Sequence, residues 1–167
     1  NSSAASDVYK RQEMVLYNSD NHNFTPTGYN CIYSSLCIEG GILFGSENII
    51  FRYNYKSRTM DSIYICQKKN LDISEYRIQK MVQLKKNKIL IGTKEQGIYL
   101  YDCCTQQLTR FTSDIHHLLI SLYVVSDKYV YASFYGNGIY CYNQDGKIVK
   151  SYTSCLLYTS DAADELD

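Results

Sequence analysis

The stretch KILIGTKEQGIYLYD, residues 88–102, decides the fold, because its second half returns in a close copy further along the chain. GIYLYD at residues 97–102 is matched by GIYCYN at 138–143, which begins 41 residues later. A recurrence of about 40–50 residues, built on short apolar runs and turn residues, is typical of a four-stranded unit repeated around an axis. The stretch therefore predicts a repeat protein made of small antiparallel sheets.

Two further features extend the repeat. An upstream copy, GILFGS at 41–46 followed by IFRYN at 50–54, has the pattern of the second and third strands. Turn residues that tolerate the left-handed backbone of a tight hairpin open the second strand of each copy, at Gly40-Gly41, Asn87-Lys88 and Asp127-Lys128. We predict four-stranded units at about residues 29–66, 74–112 and 115–153, and one leftover strand at MVLYN, residues 14–18.

Residue types and periodicity predict an all-β chain. Alternation places Ile98 and Leu100 on one face of a strand and Tyr99 with Tyr101 on the other. Because both faces are apolar, the sheets are expected to stack face to face. Segment 73–84 has a helix-like period, but its repeat equivalents indicate a strand, and the single proline, Pro26, is expected in a loop. We predict a partial β-propeller of about three four-stranded antiparallel blades.

The two ends differ from the repeats. Residues 2–12 resemble the translation of a transposase adapter used in sequencing libraries, and residues 155–165 resemble the same adapter read on the opposite strand and shifted by one base. We therefore expect residues 1–12 and 155–167 to be adapter-derived, and residues 13–154 to be a metagenomic fragment of a propeller whose neighbouring blades are missing. An isolated fragment with two open ends is expected to associate or to be poorly soluble.

Composition and charge narrow the class of protein. The chain is 45% hydrophobic with a formal net charge of +0, which argues against disorder and against a nucleic-acid-binding face. It has no apolar run long enough to cross a bilayer and no signal peptide, so no membrane contact is expected in this segment.

The cysteines and histidines do not have the spacing of a metal-binding site. The chain has no CxxC pair, and the adjacent His116 and His117 would point to opposite faces of a strand. Cys141 stands at the strand position of Leu100, which favours a small buried apolar residue, and the vicinal Cys103-Cys104 falls in a predicted turn. We expect no metal, no cofactor and no catalytic residue.

Sequence variation over a constant scaffold suggests where a ligand could bind. The loop between the second and third strands contains Ser46-Glu47-Asn48 in the first copy, Lys94, Glu95 and Gln96 in the second, and Tyr135 and Asn137 in the third, where Tyr135 interrupts the spacing. Loops on a rigid scaffold are common ligand surfaces. We predict that Lys94, Glu95, Gln96, Tyr135 and Asn137 bind a ligand; ordinary variation between loops is the alternative.

The best-preserved copy resembles the two-component regulator propeller repeat. The resemblance rests on Ile-Leu-Ile-Gly92-Thr93, three variable residues and Gly97-Ile98-Tyr99-x-Tyr101-Asp102, followed by Thr105, Leu108 and Phe111. The family usually has Trp where Ile91 stands. The third copy replaces Gly-Thr by Ala132-Ser133 and keeps Gly138, Tyr140 and Tyr142, while the first copy lacks the glycine before Ile50.

The resemblance implies a function. In that family the propellers form the periplasmic sensor region of hybrid histidine kinases, as in gut Bacteroidetes, and the ligands are often oligosaccharides. A homodimeric parent anchored in the inner membrane is implied, with no catalysis in the propeller. Two alternatives remain open: a protein-interaction propeller without a small ligand, and part of a secreted propeller enzyme, for which acidic residues converging on the central channel would be the sign.

Overall fold

The computed structural model describes residues 13–18, 22–67, 72–112, 117–126 and 128–153. The expectations for residues 1–12 and 155–167, and for His116 and Asp127, lie outside these ranges. Fourteen strands make up the described chain: β1 Glu13–Asn18, β2 Asn23–Asn30, β3 Ser34–Ile38, β4 Gly41–Gly45, β5 Ile49–Asn54, β6 Met60–Tyr64, β7 Ile78–Lys85, β8 Lys88–Thr93, β9 Ile98–Asp102, β10 Gln107–Arg110, β11 Leu119–Val125, β12 Tyr129–Phe134, β13 Gly138–Tyr142 and β14 Ile148–Tyr152.

The strands form three four-stranded antiparallel sheets and one two-stranded ribbon. Strands β3–β6, β7–β10 and β11–β14 pair in chain order within their sheets, which we call the first, second and third blades. Strand β7, the first strand of the second blade, contacts both β3 and β11, so the blades meet through their first strands. The prediction of an all-β, partial-propeller architecture is confirmed.

Apolar side chains from facing blades form two cores. The core between the first and second blades includes Leu43, Ile50, Ile78, Ile91 and Tyr101, and that between the second and third includes Leu90, Ile98, Leu122, Val130 and Tyr142. Directly paired residues of an antiparallel ladder share a face. The pairs Ile89–Tyr101 and Ile91–Tyr99 accordingly face the first blade, whereas the pair Leu90–Leu100 faces the third.

Asx turns explain the polar residue at the end of the third strand of the first two blades, and directly after it in the third. The Asp102 carboxylate accepts hydrogen bonds from the backbone N–H groups of Cys104 and Thr105, at 2.9 and 3.1 Å. Asn54 and Asn143 hold the corresponding turns with their side-chain oxygens. The backbone hydrogen bonds from Thr105 and Cys104 lower the pKa of Asp102.

Strand pairing aligns the third blade with the second one residue away from the alignment that sequence similarity suggests. Gly92 pairs with Ile98, and Ser133 pairs with Ile139, so Ser133, not Ala132, holds the position of Gly92. Phe134 therefore corresponds to Thr93, and residues 135–137 separate it from Gly138 as residues 94–96 separate Thr93 from Gly97. Tyr135 does not interrupt the spacing. A one-residue shift exchanges the two faces of a strand, which sequence similarity alone did not reveal.

Pro26 lies in strand β2 and not in a loop, and the leftover strand is a ribbon of two. Pro26 pairs with Val15 of β1, beside an irregularity in the register between Glu13 and Val15. A proline lacks a backbone N–H and is tolerated in a strand that has a free edge, which a two-stranded ribbon provides. The helix-like segment contains one short 3-10 turn, Ile73–Tyr76, after which β7 begins as expected.

Candidate functional site

The connections between strands lie at the two opposite ends of the blades. Because the four strands of each blade run antiparallel in chain order, every loop between a second and a third strand leaves from the same end, together with the segments that lead into the next blade. This loop face carries residues 46–48, 94–97, 135–137 and the connecting segment 72–77. The hairpin turns at residues 39–40, 55–58, 86–87 and 103–106 form the opposite turn face.

The side chain of Thr93 fixes the conformation of the second-blade loop by hydrogen bonds. Its hydroxyl donates to the carbonyl of Gly97 at 2.7 Å and accepts from the backbone N–H of Gln96 at 3.0 Å. Thr93 is fully buried, and Gly97 has φ 76°, a left-handed conformation that favours glycine. The Thr-x-x-x-Gly spacing therefore closes a loop of fixed shape around three variable residues.

Lys94, Glu95 and Gln96 are tied to the segment that enters the second blade. The Lys94 N–H donates to the Arg77 carbonyl at 2.7 Å, and the Glu95 N–H donates to the Glu75 carbonyl at 3.0 Å. The Gln96 amide donates to the Glu75 carboxylate at 2.7 Å, and Lys94 Nζ lies 2.9 Å from Glu95 Oε1. The candidate side chains thus form two polar pairs beside this segment, Lys94 with Glu95 and Gln96 with Glu75.

A two-residue bridge connects this loop to the third-blade loop. The Leu119 N–H donates to the Lys94 carbonyl at 2.9 Å, and the Tyr135 N–H donates to the Leu118 carbonyl at 2.8 Å. The Tyr135 side chain is 73% exposed, and the Asn137 N–H donates to Phe134 O at 3.2 Å. The structure therefore places both candidate loops on one face, on either side of residues 118–119.

The first-blade loop uses its polar side chains for internal contacts. Asn48, at φ 58°, holds the backbone of Cys66 by two hydrogen bonds of 2.8 Å. Glu47 accepts from the Tyr33 hydroxyl at 3.1 Å, and the Arg77 guanidinium lies 4.8 Å from the centre of the Tyr33 ring. Burial, followed by the hydrogen bond to Glu47, raises the pKa of Tyr33.

Tyr33, Glu75 and Arg77 are loop-face residues that sequence reasoning missed. They lie in the segments between blades, outside the repeated motif, and they reach the loops only through long-range contacts. The signal that could have found them is their position, because every such segment ends on the same face as the variable loops.

A cleft of about 540 Å³ opens on the turn face, between the first and second blades. This volume falls in the range of about 300–1,000 Å³ that is common for ligand pockets. Lys86 and Glu39, one from each blade, form an exposed ion pair of 3.2 Å at its lining. The other lining residues are Ile38, Gly40, Gly41, Arg52, Tyr53, Asn54, Lys56, Asn87 and Cys103.

Arg52 is the unusual residue of this cleft, because it takes a position between blades that is apolar elsewhere. It pairs with Leu43 as Leu100 pairs with Leu90. Its Nη2 lies 2.9 Å from the Asp61 carboxylate, while its Nε is buried and makes no hydrogen bond among the described residues. Burial raises the pKa of the neighbouring Tyr101, whose hydroxyl also lacks a hydrogen bond there.

The described ranges contain no group of three His, Cys, Asp or Glu residues that could hold a metal ion. Cys31, Cys37, Cys66, Cys103, Cys104 and Cys141 are free thiols. Cys141 is 3% exposed, which confirms the prediction of a small buried apolar residue. No helix in the described part of the chain is long and apolar enough to cross a membrane.

Comparison with known proteins shows similarity of structure. No family model and no curated protein matches the chain. The extracellular domain of a hybrid two-component system from B. thetaiotaomicron aligns with a TM-score of 0.64 and 18% identity, over 84% of this chain and 19% of that one. The WD40 repeats of RRP9 align with a TM-score of 0.62 and 10% identity, over 75% of this chain and 40% of that one.

A computationally designed protein, Ika4, aligns with a TM-score of 0.58 and 13% identity over 75% of each chain. At such identities these likenesses show the fold, and WD40 repeats are a β-propeller architecture. The chain spans less than half the length of that extracellular domain and of the RRP9 chain.

Proposed function

We propose that the chain supplies three blades of the extracytoplasmic, ligand-sensing propeller of a hybrid two-component sensor, and that this segment is not an enzyme. The observation that carries the proposal is its likeness to the extracellular domain of such a system, which covers 84% of the chain. The Gly-Thr-x-x-x-Gly-Ile-Tyr-x-Tyr-Asp motif of the second blade supports it independently. The parent would be a periplasmic, membrane-anchored homodimer.

The loop face is the proposed ligand site, and an oligosaccharide is the proposed ligand. Tyr135 offers an exposed aromatic ring whose flat, amphipathic surface suits a sugar, and Asn137 follows it in the same loop. Lys94, Glu95 and Gln96 offer one ammonium, one carboxylate and one amide at a fixed place. Loops held rigid by the scaffold lose little entropy when a ligand binds.

The turn-face cleft is a second candidate location, which its volume of about 540 Å³ favours. Cations outnumber anions at its lining, with Arg52, Lys56 and Lys86 against Glu39. An acidic oligosaccharide would suit this cleft better than a neutral one, because the cations would attract its carboxylates.

A protein-interaction propeller is the competing function, favoured by the likeness to WD40 repeats. In that case the same loop face would bind a polypeptide, and no sugar would compete for it.

Thermal shift assays with short neutral and short uronate-containing oligosaccharides test the proposal on the full chain. We expect at least one probe to raise the melting temperature, Tyr135→Ala to abolish the shift, and Tyr123→Ala, which alters an exposed tyrosine away from the loop face, to retain it. Absence of any shift with all probes would overturn the proposed sensing of oligosaccharides. A shift that Tyr135→Ala leaves intact would overturn the loop-face site.

A further inference from the structure

The hairpin turns of the first two blades give the turn face an excess of positive charge. Besides the Arg52–Asp61 pair, the cations at these turns are Lys56, Arg58, Lys85, Lys86 and Lys88, and the anions are Glu39 and Asp102. The Asp102 carboxylate already accepts two backbone N–H groups of its own turn. A surface on which one sign of charge prevails concentrates ligands of the opposite sign. The turn-face cleft between these two blades therefore opens where anions collect.

Arg52 lines this cleft at a strand position that the other two blades fill with Leu100 and Cys141. Its Nη2 donates to the Asp61 carboxylate at 2.9 Å, while its Nε is buried and makes no hydrogen bond within the described ranges. Burying a cation with unused donors costs free energy, whereas a leucine at this place would add apolar contact. Packing between the blades therefore does not account for an arginine here.

The chain's own side chains show that the cleft accommodates carboxylates. Lys86 of the second blade lies 3.2 Å from the Glu39 carboxylate of the first, and both side chains are 75% exposed. An ion pair so exposed to solvent contributes little to stability. A carboxylate of a ligand can therefore take the place of Glu39 beside Lys86 at little cost.

We propose that the turn-face cleft binds a small molecule with two or more carboxylate groups, between Arg52 of the first blade and Lys86 of the second. The planar fork of an arginine fits a carboxylate, and the lysine ammonium supplies a second positive point. Because the two cations come from facing blades, a ligand with one carboxylate for each would bridge the blades. The cleft, with a volume of about 540 Å³, has room for such a molecule.

This ligand is distinct from the oligosaccharide proposed for the loop face. The cleft lies at the opposite end of the blades, and the candidate loop residues 94–96 and 135–137 take no part in its lining. Recognition rests on carboxylates and requires no sugar ring. The proposal therefore stands or falls independently of the loop-face site.

Isothermal titration calorimetry of the full chain with citrate, at constant ionic strength and pH 7, tests the proposal. Acetate, with one carboxylate, and inorganic phosphate are titrated in parallel. Arg52→Leu should weaken citrate binding by about tenfold or more, because it removes charge-assisted hydrogen bonds. Lys80→Gln is the matched control, because it removes an exposed lysine outside the cleft, and it should leave the affinity unchanged.

Two further variants separate ligand binding from a structural role. Glu39→Gln removes the carboxylate that competes for Lys86, so the affinity for citrate should rise by about threefold. Arg52→Leu should not lower the urea midpoint in the absence of citrate, because Leu is the residue of the second blade at this position. Lys86→Gln, at an exposed residue, repeats the binding test with a variant that leaves the core between the blades intact.

Each outcome decides the proposal. Citrate binding that Arg52→Leu and Lys86→Gln weaken, and that Glu39→Gln strengthens, supports it. No citrate binding at millimolar concentration, or binding that both cation variants leave unchanged, would overturn the site. Phosphate or acetate that binds as tightly as citrate would overturn the ligand class. A large loss of stability in ligand-free Arg52→Leu would show that the fold itself requires the arginine, against the argument made for it.

Discussion

The hydroxyl and the backbone N–H of Thr93 both donate to one oxygen, the carbonyl of Gly97, at 2.7 and 3.0 Å. This pair of hydrogen bonds closes the loop that presents Lys94, Glu95 and Gln96. The Gly-Thr-x-x-x-Gly motif therefore has a structural role: it fixes the outline of a loop whose three inner residues are free to vary.

Thr93→Val tests this role. The substitution keeps the shape of the side chain but removes the hydroxyl that bonds Gly97 and Gln96, so the free energy of unfolding should fall by about 1–3 kcal/mol. Urea denaturation measures the loss. Thr109→Val is the control, because Thr109 is exposed and its hydroxyl lies 3.5 Å from the Leu100 carbonyl. Equal effects at both positions would contradict the role of Thr93.

Gly138→Ala should be more damaging than Gly136→Ala, although both glycines have positive φ, at 85° and 69°. A Cβ at Gly138 would overlap the carbonyl of Tyr152 in β14, whereas one at Gly136 meets no atom within 4 Å. Both variants carry a left-handed strain of about 1–2 kcal/mol, and Gly138→Ala adds the steric conflict. The two variants are compared by urea denaturation, and a larger loss for Gly136→Ala would argue against the pairing of β13 with β14.

We expect Asp102 to make the stability of the protein fall at acidic pH. Its lowered pKa means that its contribution is present above the ordinary carboxyl pKa of about 4 and is lost as pH falls through the folded-state value. Asp102→Asn keeps a side-chain oxygen for the turn, as Asn54 and Asn143 do. The variant should therefore lose less stability than the wild type between neutral and acidic pH. Parallel acid profiles in urea denaturation would count against this turn.

Tyr142→Phe should not destabilise the protein at pH 7. The Tyr142 hydroxyl is buried and makes no hydrogen bond within the described residues, so its removal is expected to be neutral or to stabilise by about 1 kcal/mol. Tyr99→Phe is the control, because the Tyr99 hydroxyl accepts a 2.9 Å hydrogen bond from Arg110 and its loss should cost about 1 kcal/mol. Urea denaturation of both variants measures the two changes in the free energy of unfolding, and we expect the larger loss for Tyr99→Phe.

The same variant has a signature at high pH. Burial raises the pKa of Tyr142, so its neutral form is favoured in the folded state. That contribution is complete below the unfolded-state value of about 10 and is lost as pH rises above it. Tyr142→Phe should flatten the alkaline fall in stability, and an unchanged alkaline profile would contradict the burial of this hydroxyl.

The sequence alone was sufficient to predict the blades, because each blade is specified by residues that lie close together in the chain. Strands β8, β9, β12 and β13 follow from apolar runs and turn residues that recur at a fixed distance, and Asp102 ends its strand for a reason visible in its residue type. The pairing of Pro26 with Val15 was not accessible, because a proline predicts a loop unless its strand has an unpaired edge, and only the strand pairing shows that edge.

Strand register and long-range contacts are the other features that could not be predicted from the sequence. The third copy aligns by similarity with Ala132 at the glycine position, but the ladder places Ser133 there, and only strand pairing distinguishes the two. The candidate loop residues were recognised by their variation, and their predicted role in binding remains a prediction. Glu75 and Arg77 were missed because their contacts with the loop face depend on how blades stack.

Mapping of backbone amide chemical shifts by NMR, with the oligosaccharide that gives the largest thermal shift, shows whether a sugar binds on the loop face. We expect saturable shifts concentrated at residues 94–96 and 135–137, with the turn-face residues 39–40 and 86–87 unchanged. Shifts confined to the turn face, or none at saturating sugar, would contradict the claim that the loop face of this propeller senses an oligosaccharide.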